Sequence, residues 1–278
     1  QGIRSLPDKL DGATWLNYVR CHDDIGLGFD DADIIRAGYE PRSHRRFLVE
    51  WYTGEFEDSP ARGRPFGQDL ETGDARIAGS LASLAGLESA LELGNEEGIQ
   101  RCIDRILLLH GMIMSFGGIP LLYYGDEIGL LNDYSYTEEE DKAGDSRWIH
   151  RAPIDWEKAA LRNRQGTVEQ RIFAGLSRMI AVRKSTPAFA DYNNRELIGT
   201  GNPHLFAFMR SNPFEVSDNV LVVGNFDDAP QSLSLSDIGN RGQFRFGRLR
   251  DLYSGQSPLM FKDQLVIPPF GFYWLTDR

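Results

Sequence analysis

The hydrophobic period of the chain changes near residue 190, and that change limits the folds open to it. Upstream, long segments repeat apolar residues every three or four positions. Ile99 to Phe116 sets Ile99, Cys102, Ile103, Ile106, Leu107, Met112 and Ile113 at the i, i+3, i+4 spacing of a helix face, and Gly117-Gly118 ends the run. Gln170 to Lys184 does the same with Ile172, Phe173, Leu176, Ile180 and Ala181, carries basic residues in its last turn and stops before Pro187. Downstream, LFAFMRS, NVLVVGNF, QSLSLSD, FRFGRLRDLYSG and LVIPPFGFYWL are short alternating segments. Turn residues such as Asn202-Pro203, Asn212-Pro213, Asp227-Asp228 and Gly255 separate them. An antiparallel β-sandwich over residues 189–278 follows from that pattern.

Two apolar runs upstream of the boundary end in charge. Trp15, Leu16, Tyr18 and Val19 are expected to form a buried strand that stops at His22, Asp23 and Asp24. IPLLYYGDEIG is expected to form a second strand, ending at Asp126 and Glu127. Strand, helix and strand in this order imply a right-handed parallel crossover. The carboxyl ends of parallel strands are where an α/β barrel places its reacting groups, so one imidazole and two carboxylates there make a candidate site. A turn in which Asp23 or Asp24 caps the next segment fits the same residues, and local pattern alone leaves both open.

The connections are long. Residues 25 to about 90 hold GFDDADI, SHRRFLVEWYTGEF and RGRPFGQDLETGDARIAG, and residues 130–163 hold the polar NDYSYTEEEDKAGDSRWIHRAPIDW. Loops of this length in compact proteins are commonly lids or binding loops. The run Glu138 to Asp141 reads as a solvated acidic face, since its spacing matches no metal loop.

A formal charge of -11 opposes nucleic acid and anionic membrane as partners and favours a neutral or cationic ligand. No apolar run approaches the ~20 residues of a membrane span. Cys21 and Cys102 stand far apart in apolar settings and read as free thiols in the core rather than a disulfide or metal pair. No cofactor or catalytic metal is indicated. A parallel barrel takes eight strands and ~250 residues, and the first ~185 residues here supply about a quarter of that set.

HDDIG, TGDAR, YYGDEIG and DSRW, in that order, resemble the α-amylase family of glycoside hydrolases and, within it, the amylosucrase and sucrose hydrolase type. The resemblance covers essentially the whole chain. It implies an α/β fold: the carboxyl-terminal portion of a (β/α)8 TIM barrel, strands 7 and 8 with a long insertion, followed by an all-β antiparallel sandwich. Residues 1–24 would be the end of strand 7, residues 25–95 the insertion, residues 96–188 the last barrel helices with strand 8 and its loop, and residues 189–278 the sandwich. It further implies a retaining transfer of glucose from sucrose to an α-glucan acceptor or to water, with release of fructose. The nucleophile and acid/base are expected on the remainder of the barrel upstream, so Asp126 and Glu127 are not given those roles. A sucrose hydrolase making little polymer, and a non-catalytic carbohydrate-binding fragment, are the alternatives.

Residue by residue, Asp23 matches the family's third acid, a transition-state stabiliser that accepts ring hydroxyls. His22 matches an imidazole that binds a neighbouring hydroxyl. Asp24 points toward fructose or an acceptor in the resemblance, and Arg76 of TGDAR toward the leaving group. Arg147 of DSRW matches the arginine that closes the donor pocket with an upstream Asp. Trp148, Tyr123 and Tyr124 could stack on sugar, but aromatics beside a strand are more often core, and they are left out of the site. The chain departs from the pattern at Gly67, where a glutamine is usual and Gln68 follows instead, and at Leu27, where tryptophan is usual.

Overall fold

The structure, a computed structural model, describes residues 7–69, 71–191, 193–212, 214–215, 218–238 and 248–277. In chain order its strands are β1 (Leu16–Asn17), β2 (Arg64–Phe66), β3 (Arg76–Ala78), β4 (Ile119–Pro120), β5 (Arg195–Ile198), β6 (Leu205–Arg210), β7 (Val220–Asn225), β8 (Gln231–Ser234), β9 (Arg250–Asp251), β10 (Leu259–Phe261), β11 (Gln264–Ile267) and β12 (Phe272–Thr276). The α-helices are α1 (Asp31–Arg36), α2 (Pro41–Thr53), α3 (Leu81–Leu84), α4 (Leu87–Glu92), α5 (Glu96–Phe116), α6 (Trp156–Ala160), α7 (Val168–Ser185) and α8 (Leu235–Ile238). The described residues form two compact units. One holds the described residues of Arg20–Ile106 and Leu122–Phe173; the other draws on residues 7–19, Leu107–Leu121 and the described residues of 174–277.

The first unit is built around β3. Its three residues pair antiparallel with β2, and Ile77 also exchanges both main-chain hydrogen bonds with Ile25, at 2.7 and 2.9 Å. Ile77 is fully buried in a cluster with Leu27, Val49, Ala75 and Leu84, so α2 packs its Val49 face onto this small sheet. The ends of α2 are set locally. Glu40 accepts from the N–H groups of Arg42 and Ser43, Pro41 takes the first helical position, and Gly54 supplies φ 79° at the close. The insertion thus contains helices and a two-stranded sheet, and it delivers Arg76 to the start of β3.

The second unit contains the expected sandwich. A five-stranded antiparallel sheet, β5-β6-β7-β12-β9, faces a three-stranded antiparallel sheet, β10-β11-β8. Leu205, Ala207, Met209, Leu221, Val223 and Leu275 from the first sheet share one core with Leu233, Leu265 and Ile267 from the second. NVLVVGNF was expected to alternate, yet all six residues of β7 are buried. The carboxyl half of α5 covers the other face: a Cβ on Gly224 would come within 2.8 Å of Leu108, and one on Gly111 within 3.0 Å of Phe272. Covered on both sides, the strand has no polar face to show. LVIPPFGFYWL splits into β11 and β12 at its proline pair, which has no N–H for a ladder. Residues 244–247 of FRFGRLRDLYSG lie outside the described residues.

The two strands expected near residues 15 and 119 are shorter than their apolar runs. Only Leu16–Asn17 and Ile119–Pro120 pair, in parallel, with Leu16 opposite Ile119. Trp15, Leu16 and Tyr18 are 51%, 60% and 51% exposed, which corrects the buried strand expected there. Among the described residues β4 is the single strand beside β1, so most of this apolar surface has no layer over it. One parallel pair is all of a barrel that these residues show. GDEI of the second run turns into a 3-10 turn, Asp126–Ile128, between two glycines of positive φ. Among the described residues no helix is long and apolar enough to cross a membrane.

Candidate functional site

All five residues singled out in the sequence fall in the first unit, and they form one constellation. Beyond the peptide of His22, the chain turns so that the Asp23 N–H points at Cys21 Sγ, 3.5 Å away. The Asp23 carboxylate, half exposed, then stands 3.3 Å from His22 Nε2, 3.6 Å from Arg147 Nη1 and 3.7 Å from Arg151 Nη2. Asp24 turns inward, its side chain 7% exposed, and meets Arg76 Nε at 3.2 Å. One carboxylate is left open to solvent and ringed by cationic donors, while its neighbour is buried in a pair. A carboxylate held this way can accept hydroxyls of a neutral ligand and offset positive charge developing beside it.

Arg147 and Arg76 are held by different means. DSRW opens a 3-10 turn in which Asp145 caps the Arg147 N–H at 3.0 Å and accepts the guanidinium in a fork, Nε at 2.9 Å and Nη2 at 2.8 Å. The resemblance implies an acid partner outside these residues; the structure supplies one two positions earlier. That pairing holds the Asp145 carboxyl below its ordinary range and raises the Arg147 guanidinium. Phe66 at the end of β2 lies under both arginines, with the Arg147 and Arg76 guanidinium carbons 4.4 and 4.8 Å from its centroid. Ser146 Oγ donates to Pro65 O at 2.9 Å and ties the DSRW loop to the same strand.

Several participants carry no sequence signal. Arg151 donates through Nε to His22 O at 2.9 Å while reaching Asp23. His150, 2% exposed, uses both ring nitrogens: Nδ1 accepts the Gly79 N–H at 3.1 Å and Nε2 donates to His22 O at 3.1 Å. Burial, aided by the positive charge of Arg20, pushes its pKa down to about 4. Arg20, also 2% exposed, donates through Nε to Gly79 O at 3.0 Å; burial lowers its pKa against the attraction of Asp126. Asp126 is itself buried and pushed up to about 8, by desolvation first and by Glu127 as a like charge, with Arg20 opposing.

Tyr123 and Tyr124 donate to His150 O at 3.2 Å and Ala152 O at 3.0 Å, and Trp148 packs on Ala78, Tyr136 and Ile149. Tyr124 is 42% exposed, so of the three rings expected in the core it at least stands at the surface. Residues Glu138 to Asp141 are exposed, with Glu139 paired to Lys142. Donor atoms of Cys21, His22 and Asp23 lie within 4.8 Å of one another, a spacing a metal could bridge. Arg147 and Arg151 on the same carboxylate oppose a cation there.

Residues 195–274 match the family described as Maltogenic Amylase, C-terminal domain. Glucosylglycerate phosphorylase of Escherichia coli (strain K12) is 28% identical over 231 residues, which is 78% of this chain and 36% of that protein. Trehalose synthase/amylase TreS of Mycobacterium tuberculosis (strain CDC 1551 / Oshkosh) is 26% identical over 198 residues, 62% of this chain and 31% of that protein. The chain therefore spans about a third of the length of these curated relatives. A solved structure of AmyP in complex with maltose aligns at TM-score 0.48 and 21% identity, over 69% of this chain and 38% of that one. The domain match and the two relatives support the α-amylase family of glycoside hydrolases. The amylosucrase type is a finer reading than these matches carry.

Proposed function

We propose that these residues belong to a retaining, sucrose-cleaving α-glucosyl transferase of the amylosucrase type, which passes glucose from sucrose to an α-glucan or to water and releases fructose. One observation carries the reading: residues of HDDIG, TGDAR and DSRW converge, with Arg147 and His22 on Asp23 and Arg76 on Asp24. Retaining transfer builds positive charge at the anomeric carbon between a nucleophilic carboxylate and an acid/base carboxyl. Asp23, open to solvent and held by donors, serves as a third acid that binds ring hydroxyls and offsets that charge. His22 binds an adjacent hydroxyl, Arg147 with Asp145 closes the donor side, and Asp24 with Arg76 faces the leaving group. The nucleophile and acid/base stand on barrel strands outside these residues.

One local feature keeps a sucrose hydrolase that makes little polymer as a second reading. Gly67 has φ 59°, and a Cβ there would come within 3.3 Å of Arg76 Nη2, so the position offers no side chain to an acceptor. Full-length protein incubated with sucrose tests the reading. Fructose release supports it, and fructose in excess of free glucose marks transfer to glucan, whereas equal amounts mark a hydrolase. Absence of fructose sinks it. Glucose 1-phosphate formed only when phosphate is added would replace it with phosphorolysis, the activity named for the Escherichia coli relative.

A further inference from the structure

A carbonyl accepts and an N–H donates, so the two main-chain partners of His150 fix its chemistry. Gly79 N–H requires an unprotonated Nδ1, and His22 C=O requires a proton on Nε2. One neutral tautomer satisfies both. The ring is 2% exposed, its own carbonyl accepts from Tyr123 OH, and the Tyr123 ring stands edge-on to it at 6.3 Å. Among charged groups, Arg20 and Arg151 disfavour a second proton and Asp145 favours one. Arg20 Nε takes the carbonyl of the same Gly79, so residues 20 and 22 are tied to both polar groups of one residue just past β3.

We infer that His150 is a positioning residue for Asp23: its neutral imidazole anchors the His22 carbonyl, the peptide that leads into Asp23, to the main chain at Gly79. The inference rests on the reading of Asp23 as the charge-stabilising acid. His22 O accepts from Arg151 Nε as well, and Arg151 Nη2 lies 3.7 Å from Asp23 Oδ1. If the imidazole bond is lost, the His22 peptide can rotate, and the Asp23 carboxylate and its Arg151 partner move with it. His150 itself does not touch Asp23. The cost falls on alignment in the transition state, where a displacement of about 1 Å lowers a rate by about 100-fold.

The test uses full-length protein and the variants His150→Phe and His150→Gln. The phenyl ring fills the space and makes neither bond; the amide can supply one acceptor and one donor. Rates are read on whichever of sucrose, maltose and p-nitrophenyl α-glucoside the wild type turns over, so a failure of the sucrose reading does not remove the comparison. His150→Phe is expected to lose about 100-fold in kcat with KM within about threefold, and His150→Gln to recover about tenfold of that loss. In wild-type protein, nitrogen-15 spectra of the histidine rings read the tautomer without substrate, and a protonated Nε2 from pH 8 down to pH 5 is expected. A His150→Phe variant within twofold of wild-type kcat, equal loss in both variants, or a proton on Nδ1 each overturns the inference. If His150→Phe does not fold, the glutamine variant and the tautomer decide: kcat within tenfold of wild type with a protonated Nε2 supports it, and any other result overturns it.

Discussion

Two sets of arginines in this chain do opposite kinds of work. Arg76, Arg147 and Arg151 answer carboxylates: Asp24, Asp145 and Asp23 lie within 4 Å of them, and each guanidinium keeps some exposure. Arg183, Arg195 and Arg210 answer carbonyls. They converge on the end of α5, where Met114, Ser115, Phe116 and Gly118 present oxygens with no helical partner. Arg210 is fully buried and also binds Ala190 O and Asn194 Oδ1 at 2.7 Å. Burial lowers all three guanidiniums, Arg210 to about 9 with its two neighbours adding to the effect, and Asp191 is the acid that offsets Arg183 and Arg210. Paired with acids at the surface, an arginine can trade its partner for a ligand. Bonded to carbonyls in the interior, it closes a helix and has nothing to trade.

Replacing Asp23 by Asn in the full-length enzyme breaks the first set most sharply. On the proposed function, in which that charge acts mainly in the transition state, a loss of about 1000-fold in kcat with an unchanged melting temperature is expected. Near-normal kcat would return Asp23 to the role of a turn cap. Arg210→Met tests the second set. It strands buried acceptors on Ser115, Ala190 and Asn194 and should cost roughly 3–5 kcal/mol in denaturant unfolding. A loss below about 1 kcal/mol would show that these carbonyls have other partners to turn to.

The pH dependence of stability separates two buried groups of opposite sign. His150, depressed to about 4, refuses a proton that the unfolded chain takes up below about 6.5, so its contribution is complete above that value and is lost as pH falls toward 4. The loss amounts to roughly 3 kcal/mol, and His150→Gln should flatten that limb. Asp126, raised to about 8, keeps a proton that the unfolded chain gives up, so its contribution is complete below about 4 and fades as pH rises toward 8. Unfolding curves at pH 4.5, 6.5 and 8 on wild type, His150→Gln and Asp126→Asn distinguish them. The smallest effect belongs to an arginine in neither set. Arg46 pairs with Glu50 one helical turn away on exposed α2, and Arg46→Ala should leave the melting temperature unchanged. A measurable drop would mean that surface pairing carries more of this fold than the buried set.

Where a side chain belongs to a motif, the sequence made it legible. His22, Asp23, Asp24, Arg76 and Arg147, picked out by their motifs, lie close together, and helices α5 and α7 follow their apolar spacing. The Asp145 partner of Arg147 was missed: the expected acid lay outside these residues, and two residues is the wrong spacing for a helical pair and needs the 3-10 turn. His150, Arg151 and Arg20 were not legible. Each bonds to main-chain atoms of distant residues, Gly79 or His22, and a backbone group leaves no trace in side-chain identity. The apolar run at Trp15 misled for a different reason: hydrophobicity reports what a segment could bury, not which layer covers it.

The turn at Cys21 has an experimental use. Cys102 is 5% exposed and burial raises its thiol, whereas Cys21 is half-buried, with the Asp23 N–H directed at its sulfur. Of the two thiols, a small alkylating reagent will reach Cys21 first. The label then sits two residues from Asp23, and its rate of attachment becomes a clock for how accessible that turn is, one that can be read with and without an added ligand.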